Sequence, residues 1–439
     1  MTPYFAAFVA FWAVLMLEYW KRRQATLAME WGMTEFEEEQ LDRPEFHGTL
    51  ITSYVDGKPT LYFPKKSRDK RVACSQFTVW VLILVVVISV AFIFIFKNIL
   101  KRSSVTFFQE YYSTIASLLN SIQIGIFNKI YGWVSVKLND RENHRTDTEY
   151  EDALIAKTFM FQFVNSYATF YYTAFAKPVW EGCDYGYLDE YDSCMYDVAY
   201  SLAIIFGTRV VMSQITNVLI PRMKAKKRMK AELAGTEGKV LSQPETEYVL
   251  EPYDAMMGVL GDYAELSIQF GYVTLFVVAF PLAPLLAWLA NYIEIGSDGQ
   301  KLLYEHQRAM PTGNQDIGTW QAIFGMLSSI AVVTNAALVA FTTGMLAGRG
   351  WSTTEELWAF VLAQYAVFGM MALFSYVVED VPEPVTTQIA RSKFIISKVI
   401  DKVPDEDDDE ETSILPKDQR KTNIHAKDDD KRTGHAARV

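Results

Sequence analysis

Four carboxylates in the second half of the chain stand at helical spacing. Asp262 and Glu265 are three residues apart and Glu294 and Asp298 four apart, so each pair projects from one face of its helix. Between the pairs lies Pro281-Leu282-Ala283-Pro284, a natural apex for a helical hairpin. At about 1.5 Å per residue, Glu265 to Pro281 is about 24 Å of helix and Pro284 to Glu294 about 15 Å, so a tilted hairpin returns the two pairs to neighbouring depths. Converging carboxylates repel one another and lose hydration, so they must be protonated, salt-bridged or neutralised by a cation. Oxygen donors without histidine or cysteine suit calcium or magnesium, and a flexible multi-carboxylate set favours calcium. In the competing reading Asp262 sits at the water interface and Asp298 caps the turn at Gly299, leaving only Glu265 and Glu294 buried.

Two further patterns involve polar residues inside apolar runs. Glu110, Ser113, Thr114, Ser117, Asn120, Ser121 and Asn128 recur largely at spacings of three and four, and Gln162, Asn165, Ser166, Thr169, Tyr172 and Thr173 repeat the pattern in the next run. Such a face is costly against acyl chains, so it turns toward another helix or a wet groove. Interhelical hydrogen bonding is the plainer explanation. Two consecutive stripes several turns long favour a hydrophilic path, lined by Asn120, Gln162, Asn165 and Thr169, along which ions or lipid headgroups move. Arg209 lies at depth in the following run, with Ser213, Gln214 and Asn217 before Pro221. Its expected structural role is to pair with a carboxylate such as Glu110, and Gly207 beside it is either a close-packing position or a hinge.

These residues must be held by membrane helices. Half of the 439 residues are hydrophobic and 14% aromatic, and they fall in long runs. A spanning helix needs about 20 mostly apolar residues. Runs of that kind lie near 3–20, 77–97, 105–135, 157–176, 196–221, 258–282, 283–304, 318–345 and 355–380. The expected fold is therefore all-α, a polytopic transmembrane bundle of about nine spanning helices. The first run has no basic segment before it and ends in Trp20-Lys21-Arg22-Arg23, which marks a retained span with a cytoplasmic C-terminal end. Lys65 to Arg71, Lys137 to Arg145 and Arg222 to Lys230 share the cytoplasmic side in a simple alternating topology; Lys97, Lys101 and Arg102 are a minor violation. Cys183 and Cys194 share an external loop and could form a disulfide, whereas Cys74 is cytoplasmic. Residues 1–390 form the membrane domain, with a cytoplasmic loop over about 21–75, and 391–439 a charged, disordered cytoplasmic tail. The net charge of −11 is partly a property of that tail and does not point to nucleic acid.

Several stretches resemble one family. Met-Leu-Glu-Tyr-Trp-Lys-Arg-Arg-Gln (16–24), Trp31-Gly32 to Glu39 with Phe36-Glu37-Glu38-Glu39, Lys157 to Tyr167 and above all Gln269-Phe270-Gly271 to Pro284 look like anoctamin signatures. Asp316-Ile317-Gly318-Thr-Trp320 and Val333-Thr334-Asn335-Ala336 continue the match, which runs from the first residue to about Ala390. Anoctamins are calcium-activated chloride channels and phospholipid scramblases. The resemblance implies that the chain starts at the family's second helix, without its N-terminal cytoplasmic domain and first helix, as in a truncated gene model. It further implies a homodimer, with a groove in each subunit built from segments two to six, and two calcium ions held by Asp262, Glu265, Glu294 and Asp298. Ser213 and Asn217 stand where the family's sixth helix usually has an asparagine and a glutamate. Asn217 offers a neutral carbonyl as a fifth ligand, and the site loses a charge. Ala290 and Gly296 also depart from the common asparagine and arginine.

The expected function is calcium-regulated passive transport through a hydrophilic groove, by phospholipid scrambling, chloride conduction or both, with Gly207 as the hinge. The partners are membrane phospholipids, chloride or other small ions and a second copy, in the plasma membrane or an endomembrane. The alternative is a non-transporting membrane tether or lipid-binding protein, for which the basic run Arg222 to Lys230 supplies an anionic-lipid surface. An enzyme is not expected: no nucleophile, base and orienter are grouped. Gly235-Thr-Glu-Gly238-Lys239 lacks both the spacing and the following hydroxyl of a phosphate-binding loop.

Overall fold

The computed structural model describes residues 2–37, 40–54, 57–183, 194–233, 242–400 and 402. A bilayer offers no hydrogen-bond partners, so a spanning chain must satisfy its backbone within each segment, and helices follow all nine apolar runs. They are α1 (Thr2–Glu30), α2 (Lys65–Lys101), α3 (Thr106–Glu142), α4 (Asp147–Tyr171), a short α5 (Lys177–Trp180), α6 (Met195–Gln214), α7 (Ile220–Leu233), α8 (Gln243–Val249), α9 (Ala255–Leu275), α10 (Ala283–Gln300), α11 (Thr319–Ala337) and α12 (Thr353–Val377). Among the described residues, α1, α2, α6, α11 and α12 are long and apolar enough to cross a membrane on those grounds alone. The remaining four segments, α3, α4, α9 and α10, are those that carry the polar stripes and the acidic residues. Departure from uniform apolarity thus coincides with the candidate chemistry. π-Helical turns at Tyr172–Ala176, Ile215–Leu219, Lys301–Glu305 and Leu338–Thr342 extend α4, α6, α10 and α11, a distortion that is frequent near functional sites.

The core is built around α9. Every residue from Ser267 to Ala279 is buried. Tyr167 of α4 is wholly enclosed and donates to the Ile268 carbonyl at 2.7 Å. Asn335 of α11 donates to the Thr274 carbonyl at 2.6 Å and so fixes the end of α9. α9 stops at Leu275, short of the run that reaches 282, because Phe276 to Phe280 fold into a turn in which Ala279 N donates to Phe276 O at 3.0 Å. The arm from Glu265 to this turn is therefore about 15 Å, matching the arm from Pro284 to Glu294. Pro284 lies in the first turn of α10, where its missing N–H costs nothing.

One end of the bundle gathers the basic connections. Arg71 donates to the Arg141 carbonyl at 3.0 Å, Arg145 pairs with Asp42 at 2.6 Å, and Asn143 and His47 exchange hydrogen bonds at 2.8 and 3.0 Å. The loop after α1 and the α3–α4 corner therefore share a side, as the charge pattern predicts. An antiparallel hairpin of β1 (Thr49–Thr52) and β2 (Pro59–Tyr62) is the one exception to the all-α expectation among the described residues. Beyond α5, Cys183 and Cys194 are joined by a disulfide, and Cys74 is free and exposed. A second unit, residues 381–439, contains α13 (Glu383–Ile395) and a π-helical turn, Ile396–Ile400. The charged tail from Pro404, the Gly235–Lys239 loop and residues 184–193 lie outside the described residues.

Candidate functional site

α9 carries Asp262 and Glu265, and α10 carries Glu294 and Asp298, toward the end of the hairpin remote from Pro281, where α6 also packs against α10. The two arms are clamped one turn nearer the apex. Gln269 Nε2 donates to the Ala287 carbonyl at 3.1 Å and to Asn291 Oδ1 at 2.8 Å. α6 is tied to α10 at the level of the acids by Gln214 Nε2, which donates to Ser297 Oγ at 3.3 Å.

Each of two basic side chains neutralises part of this acidic set. Arg209 of α6 donates through Nε to Glu265 Oε1 at 3.3 Å and through Nη2 to the Glu265 carbonyl. Lys301 Nζ, on the π-helical turn that continues α10, lies 2.9 and 3.2 Å from the two Asp262 oxygens and 4.0 Å from Asp298 Oδ1. Asp298 Oδ1 is buried and accepts no hydrogen bond. A cavity of about 20 Å³ lies among Arg209, Ser213, Gln214, Glu265 and Glu294, room for about one water-sized occupant. Among the described residues no three acids, histidines or cysteines stand close enough to share one ion as the chain is arranged. The donors themselves suit a hard divalent cation: they are carboxylate oxygens, of which Asp298 Oδ1 is buried without a partner and those of Glu265 and Glu294 belong to residues that line the small cavity.

The expected partner of Arg209 was Glu110, and Glu265 takes its place. Glu110 is exposed on α3, where nearby Thr114 contacts Tyr200 at 2.7 Å. Tyr200 is nine residues before Arg209 on the same helix, about 13 Å away, so Glu110 lies far from the guanidinium in depth. At Gly207 the helix is regular and an added Cβ would meet nothing within 4 Å, so close packing does not account for the glycine. The departure from α-helical geometry lies farther along, at Ile215–Leu219, which includes Asn217. The Asn217 side chain is outside the described residues.

The polar stripes of α3 and α4 face each other. Thr169 Oγ1 donates to Asn120 Oδ1 at 3.0 Å, Gln123 Nε2 to Asn165 Oδ1 at 3.0 Å, and Asn165 Nδ2 to Asn128 Oδ1 at 2.8 Å and to the Ile124 carbonyl at 3.1 Å. Asn120, Asn165 and Thr169 are buried in this seam, and Gln162 is half-buried. The seam is incompletely satisfied: Asn120 Nδ2 and Gln123 Oε1 are buried without partners, as are the hydroxyls of Ser113 on α3 and Ser166 on α4. On its other flank α3 meets α6 through Thr114 and Tyr200, and through Ser117 Oγ and Ser201 Oγ at 3.2 Å.

Sequence reasoning passed over three features. Lys301 follows Asp298 by three residues, a spacing at which a salt bridge is expected. The Gln269–Asn291 clamp was signalled by amides in otherwise apolar helices. Buried Glu142 and Lys157 pair at 2.7 Å, with Asn139 Oδ1 accepting from the same ammonium at 2.9 Å; that link required knowing that the α3 C-terminus packs on α4.

A family model described as anoctamin, calcium-activated chloride channel, matches residues 1–392. Anoctamin-7 of Homo sapiens is 35% identical over 393 residues, covering 82% of this chain and 41% of that relative. Anoctamin-7 of Mus musculus is 34% identical over 389 residues, covering 82% and 44%. Anoctamin-4 of Mus musculus is 30% identical over 406 residues, covering 84% and 42%. The chain thus spans less than half the length of these relatives. With the family model matched along nearly the whole membrane portion, the chain belongs to the anoctamin family.

Proposed function

We propose that this chain is the transport unit of a calcium-regulated membrane protein that passes phospholipid headgroups, chloride or both along the α3–α6 side of the bundle, and that it works as a homodimer. The observation that carries this reading is the placement of Asp262, Glu265, Glu294 and Asp298 at one end of the α9–α10 hairpin beside α6, with Glu265 and Glu294 lining one cavity. These four would hold the ion, with Asn217 as a further neutral ligand. A bound calcium ion would supply the positive charge that lets the carboxylates approach without repulsion. α6 is the element placed to respond, because it contacts the acidic site through Arg209 and Gln214 and the stripe of α3 through Tyr200 and Ser201. Gly207 lies between these contacts as the hinge. The partnerless polar atoms of the α3–α4 seam favour a hydrated path over a purely structural one.

A tethering role is the second reading, favoured by the basic helix α7. Arg222 pairs with Glu305, and Lys224 and Arg228 with Glu251, while Lys226, Lys227 and Lys230 are exposed and available to anionic headgroups. Reconstitution in liposomes that carry fluorescent lipid and internal chloride separates the readings. Calcium-stimulated lipid exchange is expected for a scramblase, chloride efflux alone for a channel, and silence in both for a tether.

A further inference from the structure

We propose that Arg209 and Lys301 are tethered competitors of the divalent cation, each ion-paired with carboxylates of the quartet and together setting how much cation is needed to fill it. This rests on the reading that the quartet binds calcium. Lys301 contacts both oxygens of Asp262 and approaches Asp298, and Arg209 contacts the carboxylate of Glu265, so three of the four acids already face a protein cation. The Lys301 and Arg209 side chains are 11% and 22% exposed, and their partners Asp262 and Glu265 36% and 25%. The cationic ends are the more sheltered halves of these part-buried pairs, and a cation entering the site must displace or repel them.

The two competitors differ in what they hold. Lys301 belongs to the same continuous helix as Glu294 and Asp298, and its ammonium lies 6.0 Å from the Tyr253 ring centroid, a cation–π resting place within reach when Asp262 is given up. Arg209 comes from α6 and also donates to the Glu265 main-chain carbonyl. It therefore ties α6 to α9 as well as occupying the carboxylate. Loss of the Glu265 side-chain contact would leave that main-chain bond as the remaining link through Arg209. Lys301 is thus a determinant of affinity, and Arg209 one of both affinity and coupling.

The test is thermal unfolding of the detergent-purified full chain against free calcium, with magnesium as a second titrant. This reads binding to the folded state and needs no transport. Lys301→Gln and Arg209→Gln are expected to unfold earlier than the parent without calcium and to reach half-maximal stabilisation at about tenfold lower calcium. Lys301→Arg, which keeps the charge, is expected to track the parent. A calcium dependence unchanged in both glutamine variants overturns the competition and leaves calcium binding intact. No stabilisation by calcium in the parent or any variant overturns the calcium reading itself, and this one with it. Should one glutamine variant fail to fold, the other together with Lys301→Arg decides the matter.

Discussion

At Gly271 only a hydrogen fits. A Cβ there would lie 1.9 Å from Tyr167 Oη and 2.5 Å from its Cζ, and Tyr167 is enclosed on all sides. Gly271→Ala is therefore expected to cost about 1–3 kcal/mol through overpacking, read as a lowered unfolding midpoint in detergent. Lys157 presents the opposite case, a charge that cannot be removed alone. With Glu142 fully buried and left with His144 at 2.9 Å as a partner, Lys157→Met is expected to destabilise by up to about 3–5 kcal/mol, and adding Glu142→Gln to recover part of that loss. Equal destabilisation in the single and double variants would show that the pair is not the cause. At this scale the sequence was informative where spacing along one helix carries the message, as for Asp262 with Glu265 and Glu294 with Asp298. It was silent where two helices must first be known to touch. The partner of Arg209 was misassigned to Glu110 for that reason, since nothing in a single sequence says that α6 meets α9 at the depth of Glu265.

Among the elements, α3 packs on α2, α4 and α6 and divides its stripe between the last two. Asn120, Gln123 and Asn128 turn to α4, and Thr114 and Ser117 to α6. The α3–α6 contact is the one that must part if the path runs along this side. A Ser117→Cys/Ser201→Cys pair, built where the two hydroxyls are 3.2 Å apart, is expected to abolish transport on oxidation and to restore it on reduction, with the parent unaffected by the same treatment. Transport that persists in the oxidised double variant would place the path elsewhere. The helices themselves were legible as apolar runs, because a bilayer leaves the backbone little alternative. Their ends were less so: α9 stops at Leu275 because of a turn formed by residues as apolar as the helix before it. The β1–β2 hairpin was missed because two short, largely exposed strands leave almost no periodic signal.

For the whole molecule, the described helices leave large apolar faces uncovered, as a membrane or a second copy would accommodate. α12 buries none of its residues within the chain, yet Leu357, Trp358, Leu362 and Tyr365 lie on it. Outside the spanning segments, acids crowd a cavity of about 500 Å³ whose lining includes Glu37, Asp147, Glu151, Asp152 and Asp316. Partial burial, with the charges of Asp316 and Asp152, pushes the Glu37 carboxyl above its ordinary pKa. The folded chain then holds that proton more tightly than the unfolded one, so ionised Glu37 weakens the fold above its folded pKa and not below the ordinary carboxylate range. Glu37→Gln is accordingly expected to raise the unfolding midpoint near neutral pH, with the gain vanishing as the pH falls through that range. The central claim, that the quartet on α9 and α10 makes transport depend on calcium, is tested most directly by the calcium dependence of lipid exchange and chloride efflux in liposomes for the parent and for Glu265→Gln. The account predicts stimulation by calcium in the parent and its loss, or a shift to at least about tenfold higher calcium, in the variant. Transport with the same calcium dependence in both would contradict it.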